Sequence, residues 1–164
     1  MKIATLSQYA KHKDGTYVSL EMHKQSRDLL DHFVEMNLGL KERVDPKSYH
    51  VTVIYSRTPV PAAETLARDT AAAAIAVGYD LFATKTGEKC LVMRVKSSSA
   101  EQLNKWLVTN GATSDYDSYK PHVTICYNYT GDEDVSQLPI PKFALGFDVL
   151  NVAPLDPEFV PSNK

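Results

Sequence analysis

The stretch S48-Y-H-V-T-V-I-Y-S56 decides the reading of this chain, because it recurs almost unchanged as K120-P-H-V-T-I-C-Y-N128. Both runs read His-Val-Thr-apolar-apolar-Tyr, with His50 and His122 in matching places. β-Branched and aromatic residues in a short run predict a strand, and side chains on a strand alternate faces. His50 and Thr52 therefore share one face while Val51, Val53 and Tyr55 take the other; His122 and Thr124 are set against Val123, Ile125 and Tyr127 in the same way. The apolar set is expected to pack on a core, which leaves the polar set facing away from it.

The flanking sequence repeats as well. Residues 16–22 (TYVSLEM) alternate as a strand, and 24–39 (KQSRDLLDHFVEMNLG) set Leu29, Leu30, Phe33, Val34 and Leu38 on one helical stripe ending at Gly39. In the second half, 90–95 (CLVMRV) reads as a strand and 97–111 (SSSAEQLNKWLVTNG) as a serine-capped helix closed by Gly111. Between the halves, 62–77 (AAETLARDTAAAAIAV) predicts an alanine-rich helix and 79–85 (YDLFATK) a strand, with a final strand in 143–150 (FALGFDVL). Strand, helix and a strand bearing His-Val-Thr, twice over, indicate an internal duplication. The expectation is one α+β domain over residues 1–164: a bilobal, pseudo-two-fold fold, its antiparallel sheets lining a central cleft and its helices on the outer faces.

At 164 residues the chain can bury a proper core. Its net charge of −2 argues against a dedicated nucleic-acid surface. The start, MKIATLSQYAKHKDG, has no apolar signal-peptide region, and the run AAAAIAVG is too short to span a bilayer, so a soluble, cytoplasmic monomer is expected. Cys90 and Cys126 sit in apolar runs and read as buried, reduced core residues. His12, His23 and His32 lie in polar segments and read as solvated surface groups. The proline-rich stretch 139–164 is expected to end in disorder.

Two histidines and two hydroxyls facing each other across a pseudo-symmetric cleft suit in-line displacement at a phosphodiester. One imidazole takes the proton of the attacking oxygen and the other protonates the leaving oxygen, while the threonines donate to the non-bridging oxygens. Histidine fits both roles because its ordinary pKa lies near neutrality. A catalytic zinc would want a third protein ligand, and a two-metal site a carboxylate cluster; the sequence offers neither, so no metal or other cofactor is expected. Tyr9, Tyr17, Tyr119 and Phe159 fall outside the core stripes and could stack on a base, and Lys120, two residues before His122, could touch phosphate.

The paired HVTV and HVTI motifs, in two strand-helix-strand halves, resemble the 2H phosphoesterase superfamily. That resemblance implies metal-independent phosphodiester cleavage with His50 and His122 as the acid–base pair and Thr52 and Thr124 as phosphate-binding hydroxyls. Within the superfamily the early strand and the tail APLDPEFV are most similar to the phage anti-CBASS phosphodiesterases. That group implies a cyclic di- or trinucleotide as substrate, with neither a membrane nor a stable nucleic-acid partner. The ribose 2′-hydroxyl would attack first, giving a 2′,3′-cyclic phosphate, and opening the messenger ring would inactivate it. The group's tail implies a tryptophan and an acidic base contact; this chain has Phe159 and Ala153 there, which leaves base preference open. Two alternatives stand beside this reading: a 2′,3′-cyclic phosphodiesterase or RNA 2′-5′ ligase-like enzyme acting on RNA ends, and a non-catalytic sponge for cyclic nucleotides.

Overall fold

A computed structural model describes residues 6–158, Tyr9 by its backbone alone. Its helices are α1 (Leu6–Lys11), α2 (Lys24–Asn37) and α3 (Ser98–Thr109). Its strands are β1 (Thr16–Met22), β2 (His50–Ser56), β3 (Asp69–Ala83), β4 (Lys89–Lys96), β5 (His122–Cys126) and β6 (Leu145–Pro154). The strands form a six-stranded antiparallel sheet in the order β2-β1-β6-β3-β4-β5. The order reads alike from both ends: β2 answers to β5, β1 to β4 and β6 to β3. The two outermost strands, β2 and β5, pack against each other, so the sheet bends back on itself and brings the two His-Val-Thr runs together.

The region between the halves differs from expectation. Residues 62–77 are not a helix; a short 3-10 turn at Pro61–Thr65 is followed directly by the 15-residue strand β3. Alanine has the highest intrinsic helix propensity, but propensity is a weak prior that tertiary context overrides. Here Ala72 and Ala74 are buried while Ala71, Ala73, Ile75 and Val77 are exposed, a period of two rather than 3.6. The first part of β3 pairs with β6 and the second with β4. A single strand thus carries the sheet from one lobe to the other.

The two capped helices, α2 and α3, form where they are predicted. His23 caps α2, its ring nitrogen accepting from the Ser26 amide at 3.1 Å, and Gly39 takes the left-handed φ of +57° just beyond the helix end. Leu30, Val34 and Leu38 are buried, but Leu29 is 47% exposed and Phe33 half-buried, so the stripe is narrower than the five residues expected. Each fully buried aliphatic side chain contributes about 1.5–3 kcal/mol. Ser97 caps α3 through the Ala100 amide, and its hydroxyl also donates to the Ala73 carbonyl of β3 at 2.7 Å. Leu107 and Ala100 turn the inner face of α3 toward the core.

Two histidines depart from the surface role expected of them. His23 is half-buried at its cap, and His12 is completely buried. His12 bonds through Nε2 to Glu64 at 2.8 Å and through Nδ1 to Thr16 at 3.0 Å. The Thr16 hydroxyl accepts from the Val60 amide at 2.8 Å, which joins α1, the start of β1 and the turn after β2. His32 is exposed. Cys90 and Cys126 are buried and form no disulfide bond. Among the described residues no helix is long and apolar enough to cross a membrane.

Candidate active site

His50 and His122 open their respective strands, and each ring is fixed in the same way. His50 Nδ1 lies 2.6 Å from the Ser48 carbonyl, and His122 Nδ1 lies 2.8 Å from the Lys120 carbonyl. A carbonyl can only accept, so Nδ1 carries the hydrogen in both rings. That leaves Nε2 as the second ring nitrogen, a lone pair in the neutral ring and a donor in the charged one. Burial and the nearby His50 ring lower the pKa of His122 from its ordinary value, against the raising effects of the Lys120 carbonyl and the Asp80 carboxylate.

The threonines follow the same symmetry. The Thr52 hydroxyl meets the Tyr17 hydroxyl at 3.0 Å, and Thr124 lies against the Cys90 thiol and the Tyr127 hydroxyl. Burial pushes the Cys90 thiol up to about 11, so it stays protonated and inert near neutral pH. Burial likewise raises the Tyr17 hydroxyl above the ordinary phenol value, against hydrogen bonds with Thr52 and Ser19.

Just after each threonine both strands bulge. In the β1–β2 pairing Ser19 faces Thr52 and Val18 faces Ile54, which skips Val53. In the β4–β5 pairing Val92 faces Thr124 and Leu91 faces Cys126, which skips Ile125. An extra residue reverses the alternation beyond it. Val53 and Ile54 are therefore both buried, and Tyr55, expected on the core side, is 39% exposed. Its ring packs edge-on to Tyr17, 6.3 Å between centroids, on the face of Thr52. Tyr127, just beyond the end of β5, is half-buried: it packs at the edge of the core and its hydroxyl meets Thr124.

Each bulge leaves a carbonyl out of the ladder, and each is satisfied from the opposite half. The Asn104 amide of α3 donates to Val53 O at 2.8 Å, and the Val44 amide donates to Ile125 O, also at 2.8 Å. Tyr119 adds a third link, its hydroxyl donating to Thr52 O at 2.8 Å. That makes Tyr119 a half-buried strut between the lobes rather than the free stacking face the sequence suggested.

Residues in register across a ladder share a face. Glu21 and Ser19 therefore stand beside His50 and Thr52, with Val149 and Asn151 of β6 next along the same face. On the other side Arg94 and Val92 stand beside His122 and Thr124, with Gly78 and Asp80 beyond them on β3. Phe82 sets its ring edge-on to His122, 5.1 Å between centroids. Sequence alone did not single out Tyr55, Arg94, Asp80, Phe82, Asn104 or Asn151. The bulges and cross-strand registers that group them depend on residues far apart in the chain.

Of the sequence-predicted residues, His50, Thr52, His122, Thr124 and Tyr17 are brought together. Lys120 contributes its carbonyl through the bond to His122; its side chain is exposed. Phe159 and the end of the proline-rich tail lie outside the described residues, as does the side chain of Tyr9. Among the described residues no three His, Cys, Asp or Glu side chains gather as a metal site.

Two solved structures are similar to this chain in fold. TT0787 of Thermus thermophilus superposes with a TM-score of 0.59 at 14% identity, over 84% of this chain and 86% of that one. E. coli LigT, solved in complex with 3′-AMP, superposes with a TM-score of 0.55 at 13% identity, over 84% and 85%. The fold is that of the 2H phosphoesterases. The sequence narrows this further, since residues 14–161 match the family described as Anti-CBASS protein Acb1. The protein of that name from Vibrio phage KVP40 is 30% identical over 149 residues, 91% of this chain and 93% of the phage protein. The chain belongs to the anti-CBASS protein Acb1 family.

Proposed function

We propose that this protein is a metal-independent phosphodiesterase that linearises 3′,5′-linked cyclic di- and trinucleotide messengers, and so counters the bacterial antiphage defence they trigger. The observation that carries the reading is the mirrored pair of Nδ1–carbonyl bonds at His50 and His122, which leaves two Nε2 atoms for acid–base work on strands that lie together. Membership of the anti-CBASS family supports the substrate class.

In the reaction, His122 is the first base, because the lowering of its pKa favours the neutral ring. Its Nε2 takes the proton of a ribose 2′-hydroxyl as the 2′-oxygen bonds to phosphorus. The bond from phosphorus to the 5′-oxygen breaks, and His50 Nε2–H protonates that oxygen, which opens the ring and leaves a 2′,3′-cyclic phosphate end. Thr52 and Thr124 donate to the non-bridging oxygens, where negative charge grows in the transition state. Tyr17, edge-on to Tyr55, offers an aromatic surface to a base.

The test is turnover in EDTA of a panel of cyclic dinucleotides, cyclic trinucleotides and 2′,3′-cyclic mononucleotides, with products resolved by chromatography. Linear products are expected, reduced roughly 10²–10⁴-fold in both His50→Ala and His122→Ala. Metal-dependent activity would refute the mechanism. Intact cyclic nucleotide retained without cleavage would make the protein a sponge, and turnover confined to 2′,3′-cyclic ends would make it an RNA-end enzyme.

A further inference from the structure

The two halves match at the histidine, the threonine, the bulge and the Nδ1–carbonyl bond, but not at the neighbouring cross-strand position. There His50 faces Glu21, and His122 faces Arg94. The pseudo-symmetry thus breaks at this register position, where a glutamate pairs with one histidine and an arginine with the other.

The setting of Arg94 is built rather than incidental. Its side chain lies across Gly78 on β3, where any Cβ would collide with Nη2. Asp80 stands 2.9 Å from Nε and anchors the stem side of the fork by charge. Nε itself is buried, with no aligned hydrogen bond. Among the described residues neither terminal nitrogen makes a hydrogen bond, and the side chain is 43% exposed. Arg57 differs, since both its Nε and its Nη2 are committed to Asp115. Arg94 therefore presents a held, charged fork with donors to spare, a form that matches phosphate oxygens.

Position sets which phosphate it can meet. Arg94 leans from β4 over β3, whereas His122 stands on β5. With neighbouring strands about 4.8 Å apart, the guanidinium lies roughly two strand spacings, about 10 Å, from the His122 column. That is too far for the phosphate being cleaved and suits one further along the same backbone. We propose that Arg94 binds a second, non-scissile phosphate and so makes the cleft select nucleotides that carry more than one phosphodiester. This rests on the function proposed above.

Steady-state kinetics on a cyclic trinucleotide tests it. Arg94→Gln raises KM at least about 10-fold, the loss of one charge-assisted contact, and leaves kcat within about twofold. Arg94→Lys restores part of the loss, and Gly78→Ala, which displaces the guanidinium, raises KM in the same direction. A 2′,3′-cyclic mononucleotide, which has a single phosphate, competes equally well against wild type and Arg94→Gln. Thermal melts establish that each variant is folded. A fall in kcat at constant KM, or an equal weakening of the single-phosphate competitor, overturns the role of Arg94 alone. A wild-type protein that cleaves no cyclic oligonucleotide refutes the proposed function and this inference with it.

Discussion

Replacing Glu64 with glutamine removes the charge at the centre of the clamp that seats β1. Glu64 Oε1 takes bonds from Lys11 and His12, each at 2.8 Å, and Oε2 takes one from Arg68 at 2.7 Å. Burial alone would raise its pKa; the Lys11 and His12 hydrogen bonds and the Lys11 and Arg68 charges outweigh this and hold it at about 2, against an ordinary 4.5. A drop of that size corresponds to about 3 kcal/mol of stability at neutral pH. Lys11 and Arg68 are about half exposed, so solvent screening brings the expected loss to about 2 kcal/mol. Because the folded pKa is depressed, this stability is complete above the unfolded pKa near 4.5 and is lost as pH falls toward 2. Urea unfolding of wild type and Glu64→Gln measures it: a gap of about 2 kcal/mol at pH 7 that shrinks steadily between about pH 4.5 and pH 2. A gap below about 0.5 kcal/mol at pH 7, or one of constant size down to pH 2, refutes the reasoning. The clamp bears on function because Thr16, bonded to His12, directly precedes Tyr17 in the cleft.

With its pKa lowered by burial and the His50 ring, His122 sheds its proton below the ordinary 6.5, so the acid limb of kcat/KM has its midpoint below pH 6.5. Asp80→Asn removes a carboxylate that favours the imidazolium and moves that midpoint lower still; a shift upward, or a wild-type midpoint above 6.5, contradicts the assignment of His122 as base. Asn104→Ala strips the bulge carbonyl of Val53 of its donor and costs about 1–3 kcal/mol in chemical denaturation, with a loss of activity as Tyr55 and Thr52 lose their setting. An Asn104→Ala protein of unchanged stability would show that water replaces the amide freely.

The paired His-Val-Thr runs were legible because each carries its information locally: the period of two puts His and Thr on one face whatever the strand packs against. Helices α2 and α3 were legible for a similar reason, since caps and an apolar stripe lie within one segment. The alanine run 71–74 was not. Its residues suit a helix by propensity, and only pairing with β6, at Ala72, Ala73 and Ala74, draws it into the sheet. Tyr55 was misplaced because a bulge is a property of two paired strands, and a single strand read alone has nothing to be out of register with.

The sequence by itself thus determined the duplicated halves and the four side chains, His50, Thr52, His122 and Thr124, that share a face within each. Tertiary structure alone decided what surrounds them. The bulge that turns Tyr55 onto the face of Thr52, the bonds from Asn104 and Tyr119 to β2, and the Glu21–Arg94 asymmetry all depend on hydrogen bonds and registers formed only after the chain has closed on itself.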